Sequence, residues 1–112
     1  MIDCDHGDVV LVNFVFSDES GVKRRPALVL SVPRYHQKRR ETIVAAITSN
    51  VSRILFGDFK LNDWRQSGLL HPSVVTGVVR TIKQDMIHRK LGSASESDFQ
   101  EVRQRLREVF DL

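Results

Sequence analysis

Fifteen valines, six isoleucines and four threonines are packed into short runs along these 112 residues. Side chains branched at Cβ are stiff about χ1 and fit a pleated, half-buried surface better than a helix. The runs are brief and are broken by turn-forming residues, so the chain is steered toward several short strands. Residues 9–16 (VVLVNFVF) form the first, with Asn13 its only polar member. Alternation is weak there, and the β-branched and aromatic content decides for strand. Residues 17–21 (SDESG) supply a turn. The second strand covers residues 27–32 and is entered through Lys23, Arg24, Arg25 and Pro26. A proline at the start of a strand need not donate to the ladder.

Pro33 ends that strand, and residues 34–41 (RYHQKRRE) read as a solvated basic loop. Residues 42–48 make a third, almost wholly apolar strand, closed by Ser49 and Asn50. Residues 54–61 are a weaker strand candidate, interrupted by Gly57 and Asp58. Residues 62–70, with the single tryptophan Trp64, suggest a turn or a short helical loop. His71, Pro72 and Ser73 break the chain before a strand over residues 74–82. Gly77 inside it marks a bulge or a close backbone approach. Residues 86–91 are a short connection or a last short strand.

The pattern then changes period. Residues 95–98 (SESD) offer a cap serine with an acid three positions later. Phe99, Val102, Leu106, Val109 and Phe110 follow at helical spacing on one face. The expected fold is therefore mainly β (α+β): one domain over residues 1–112, a small closed or half-closed barrel with one C-terminal amphipathic helix. The helix lays its apolar stripe on the barrel or on a partner.

Composition excludes much chemistry. Cys4 is the only cysteine, so no internal disulfide or multi-cysteine metal site can form. Its neighbours Asp3 and Asp5 disfavour a reactive thiolate. No apolar run approaches the roughly 18 residues needed to span a membrane, and the N-terminus has no basic leader, so a cytoplasmic address is expected. GxGxxG, GxxxxGK[ST] and GxSxG are absent, and His6, His36, His71 and His88 show no metal-ligand spacing. The net charge of +3 is modest, but 12 of the 17 basic residues are arginines. A guanidinium grips phosphate with two parallel bonds where an ammonium offers a point charge, so the bias leans toward a polyanion.

Two local features have both a plain and a functional reading. Lys23, Arg24 and Arg25, with Arg34, Lys38, Arg39 and Arg40, are either a solvated charged face or phosphate contacts. Thr48, Ser49 and Asn50 are either a strand-end turn or an oxygen cluster at a barrel rim.

Taken in order, Gly7-Asp8-Val9-Val10, the run RPALVLS from Arg25 to Ser31, Ile47-Thr48-Ser49, Pro72-Ser73-Val74-Val75, Arg80-Thr81-Ile82 and the capped helix resemble the MazF/PemK toxin endoribonucleases of bacterial toxin–antitoxin pairs. The resemblance spans about residues 7–110. It implies a CcdB/MazF-like, SH3-like barrel assembled as a homodimer and neutralised by a cognate antitoxin, often through an acidic tail that fills the RNA groove. It implies cleavage of single-stranded RNA without metal or other cofactor, by attack of a 2′-hydroxyl on the adjacent phosphate. The products are a 2′,3′-cyclic phosphate and a 5′-hydroxyl. Carried over by position, the catalytic arginine is Arg25 and the catalytic threonine is Thr48. Phe16, Lys23, Arg24, Ser49, Asn50 and Arg80 are the expected substrate-binding residues. Phe16 can equally belong to the core, and Arg80 can equally pair with an acid such as Asp85.

The chemistry is consistent with those residue types. Charge builds on the phosphoryl oxygens during attack, and a preorganised cation and O–H donor stabilise it. No residue offers itself as general base. Two other readings stay open. One is a CcdB-like toxin that acts on DNA gyrase by protein binding, mainly through residues 109–112. The other is an RNA-binding barrel without catalysis.

Overall fold

Both faces of the central strands are buried, which is why the first strand shows so little alternation. The computed structural model describes residues 3–16 and 21–112. The elements are β1 (Asp8–Phe16), β2 (Gly21–Val29), α1 (Pro33–Arg39), β3 (Glu41–Thr48), β4 (Phe59–Lys60), β5 (Val74–Lys83), a 3-10 turn (Gln84–Met86), β6 (Ile87–Ser93) and α2 (Glu96–Phe110). All the strand pairings are antiparallel, in the order β4-β5-β3-β2-β1-β6. On one face Val9, Leu28, Ala45 and Val75 pack with Phe99 and Val102 of α2. On the other, Val10, Val12, Ala27, Val29 and Val44 pack with Cys4 and Ile87. Each valine, leucine, isoleucine or phenylalanine among them taken fully out of water contributes roughly 1.5–3 kcal/mol.

Among the described residues no ladder joins β4 to β6, so the sheet is curled but not closed. The segment 61–70 lies between these edges. Asp98 is fully buried and its carboxylate accepts from the Asn62 and Asp63 N–H groups at 3.2 and 2.8 Å. The segment then crosses β6 at two glycines. A Cβ on Gly92 would stand 2.6 Å from the Ser67 carbonyl oxygen, and one on Gly68 would collide with the Leu91 carbonyl. α2 begins as its sequence requires: Ser95 Oγ accepts from the Asp98 N–H at 3.2 Å. The acid of that motif does not reach back to the cap, because it serves the 62–63 backbone instead.

Three sequence expectations are corrected. Residues 34–41 are not a loop; most of them form α1, with Pro33 in its first turn and Arg40 left-handed at its end. The helix is anchored by buried His36. Ser31 Oγ lies 2.6 Å from His36 Nε2, and His36 Nδ1 is 3.2 Å from the Cys4 carbonyl oxygen. The Cys4 carbonyl can only accept, so Nδ1–H donates to it; with the proton on Nδ1, Nε2 accepts from the Ser31 hydroxyl, whose oxygen also accepts from the Ile43 N–H at 2.9 Å. The second strand runs from Gly21 to Val29, so the basic residues lie within it rather than ahead of it. Pro26 is tolerated because β2 pairs with β3 only from Ala27 onward. Of residues 54–61, only Phe59–Lys60 is strand. Cys4 adds burial to the neighbouring acids that the sequence sets against a thiolate. Burial first, then the Asp8 carboxylate, pushes its thiol up from the ordinary range.

Candidate active site

Arg25 and Thr48 line the same cleft. β2 and β3 pair through Val29–Val44, Leu28–Ala45 and Ala27–Ala46, and pairing stops there. Continued by two residues, the same register would place Arg25 opposite Thr48, on the face shared by Ala27 and Ala46. The strands part instead. Arg25 stays on β2, opposite Val12 of β1, and Thr48 stays on β3, opposite Val74 of β5. The gap between them opens into a cleft of about 1330 Å³, lined by both residues.

The Thr48 hydroxyl is oriented by its own turn. The Asn50 N–H donates to Thr48 Oγ1 at 3.1 Å. Asn50 Oδ1 in turn accepts from Ser52 N–H and Ser52 Oγ at 3.2 and 2.7 Å. One lone pair of the threonine is thus occupied, and its proton remains to donate outward.

Arg80 and Arg89 also line the cleft. Arg80 stands opposite Val44 on β5, and its guanidinium lies 5.0 Å from the centre of the Phe14 ring. It forms no ion pair with Asp85. Among the described residues Arg25, Arg80 and Arg89 all lack ion pairs, and no carboxylate lines the cleft. Three guanidinium groups without a counter-charge in one concavity attract an anion. Much of the remaining wall is apolar, with Leu11, Pro26, Leu69, Leu70 and Leu91 in it.

The bulge in β5 shapes the same wall. Between Ala45–Val79 and Ile47–Val75, β5 spends more residues than β3, and Gly77 sits inside this shift. The local polar groups are met by side chains. Thr76 Oγ1 donates to the Ala46 carbonyl at 2.8 Å, and the Gly77 N–H donates to Asp58 Oδ1 at 2.8 Å.

Of the expected site residues, Arg25, Thr48, Ser49 and Arg80 line one cleft. Lys23, Arg24 and Asn50 are exposed but do not line it. Arg24 Nε donates across the ladder to Asn13 Oδ1 at 3.0 Å, and Asn13 does line it. The Phe16 side chain and residues 17–20 lie outside the described residues. Sequence reasoning passed over Arg89 and His71, which also line the cleft. Arg89 carried no signal beyond its charge, and the His71-Pro72-Ser73 triplet reads only as a break.

The family model of PemK-like, MazF-like toxins of type II toxin–antitoxin systems matches residues 5–110. The chain belongs to this family. Solved structures share the fold. The MazE–MazF complex of Deinococcus radiodurans is 24% identical with a TM-score of 0.79, covering 100% of this chain and 99% of that one. Mycobacterium tuberculosis toxin MazF-mt6 is 25% identical with a TM-score of 0.76, covering 94% and 97%. An endoribonuclease in complex with its cognate antitoxin from a mycobacterial species is 15% identical with a TM-score of 0.77, covering 98% and 97%. No curated protein sequence matches significantly.

The MazF-like fold is thus a curled sheet of six antiparallel strands with a helix at the C-terminus, and this member has a short second helix, α1. α2 buries Phe99 and Val102 on the sheet, while Val109 and Phe110 beyond them are exposed. No helix among the described residues is long and apolar enough to cross a membrane.

Proposed function

We propose that this MazF-like chain is a toxin endoribonuclease that cuts single-stranded RNA at the cleft between β2 and β3. The observation that supports this reading is that Arg25 and Thr48, from two strands that have stopped pairing, both line one cleft. A phosphodiester in that gap meets a guanidinium fork from one side and an O–H donor from the other. The 2′-oxygen attacks the adjacent phosphorus, charge gathers on the non-bridging oxygens, and these two groups stabilise it. Arg80 and Arg89 hold neighbouring phosphates and fix the strand in line. The Phe14 ring under Arg80 and the apolar wall offer surfaces on which splayed bases can stack. The charge is neutralised by side chains throughout, so the reaction as proposed needs no divalent cation.

Two partners belong to this reading. The Deinococcus and mycobacterial relatives are complexes with antitoxins, and a cleft with three guanidinium groups and an apolar wall suits an acidic, partly hydrophobic tail. A second copy of the chain is the other partner. Phe56, 76% exposed, lies with Ile54 and Leu55 on the surface, and Gly57 beside them approaches Val109 of α2. Exposed apolar residues of this size are suited to an interface.

The test is to digest a long single-stranded RNA transcript and map the new ends, with EDTA present throughout. The expected result is discrete cuts that leave 5′-hydroxyl ends and 2′,3′-cyclic phosphates, while an all-deoxy strand of the same sequence survives. RNA that is bound but uncut would favour a binding barrel. Cleavage of the deoxy strand would refute 2′-hydroxyl attack.

A further inference from the structure

We propose that His71 is the general base that removes the 2′-hydroxyl proton; this rests on the nuclease reading above. That reading supplies charge stabilisation but no proton acceptor, since an arginine holds its proton above about pH 12. The cleft itself narrows the choice. Among the described residues its wall contains no aspartate, glutamate, lysine, cysteine or tyrosine, and His71 is its one imidazole. His6, His36 and His88 do not line it. An imidazole is the side-chain type that ordinarily changes charge between about pH 5 and 8, which is why it serves most often as base.

Position supports the assignment. Thr48 is paired with Val74, the first residue of β5, and His71, three residues before that rung, lines the same cleft. The backbone there is fixed: Ser73 Oγ donates to the His71 carbonyl oxygen at 2.7 Å, and the Leu61 N–H donates to the Ser73 carbonyl at 2.9 Å. The His71 side chain is exposed, and no hydrogen bond, ion pair or ring contact engages it among the described residues. A structural histidine in this protein looks different: His36 is buried and bonded at both nitrogens.

In the proposed step, neutral His71 takes the proton from the 2′-hydroxyl as O2′ bonds to phosphorus. The bond from phosphorus to the 5′-oxygen breaks, and its electron pair stays on that oxygen. The 5′-oxygen takes a proton from water in the open cleft, and His71 returns its own to the resulting hydroxide.

The experiment compares the unaltered chain, His71→Ala and Arg25→Ala on one RNA transcript under single-turnover conditions, with RNA affinity measured separately. His71→Ala is expected to slow cleavage about 10²-fold while RNA affinity is retained. Added imidazole should restore part of the rate to His71→Ala and none to Arg25→Ala. Because His71 is exposed, the variant should unfold at the same denaturant concentration as the unaltered chain. Cleavage by His71→Ala within about threefold of the unaltered rate would overturn the proposal. So would a loss that imidazole does not relieve. If the unaltered chain produces no 5′-hydroxyl ends at all, the nuclease reading falls as well, and the two failures are thereby told apart.

Discussion

Arg25→Ala is expected to slow RNA cleavage by about 10³-fold while leaving the fold intact. The guanidinium is exposed and makes no ion pair among the described residues, so its removal strands no buried charge. Its aliphatic stem lies beyond the last β2–β3 pair and outside both apolar clusters. Stability measured by urea unfolding should therefore stay within about 0.5 kcal/mol of the unaltered protein. Arg25→Lys should recover only part of the rate, because an ammonium keeps the charge and loses the two-bond fork. Thr48→Val removes the hydroxyl at nearly constant shape. If both groups act on one phosphate, the double variant should lose less than the product of the two single losses.

The second large effect is on stability. Gly68→Ala is expected to destabilise the fold by about 2–5 kcal/mol, from overpacking together with a strained left-handed backbone. Gly68 has φ +84, and its Cβ would collide with the Leu91 carbonyl on β6. A carbonyl held in a strand cannot move aside as the end of a flexible side chain can. Gly68, Leu69 and Leu70 all line the cleft, so this crossing also fixes part of its wall. Urea unfolding should show the lowered midpoint. Gln66→Ala, two residues away and exposed, is the control expected to change little.

What could be read from the sequence follows from where the deciding forces act. β1, β3 and β5 were legible because β-branched runs specify strands locally. α2 was legible because its cap and apolar stripe are both local signals. α1 was not: it has seven residues, most of them polar, and its anchor is a tertiary set of bonds from Ser31 and Cys4 to His36. The extent of β2 was misread because Pro26 suggested an entrance, whereas that proline sits where one neighbouring strand has already left. Arg25 and Thr48 were named only through the family resemblance. That both line one cleft depends on where β2 and β3 stop pairing, which is not written in either strand alone. Arg89 and His71 were overlooked for a related reason. They share a site only because β6 and the turn before β5 border the same cleft.

The most direct measurement is a structure of the protein bound to a single-stranded RNA that carries a 2′-deoxy sugar at the cut position. With its nucleophile absent, the strand stays whole in the site. One phosphate should lie within hydrogen-bond reach of both the Arg25 guanidinium and the Thr48 hydroxyl, in the gap between β2 and β3. A strand seated elsewhere on the protein, or a scissile phosphate held by neither residue, would contradict the account.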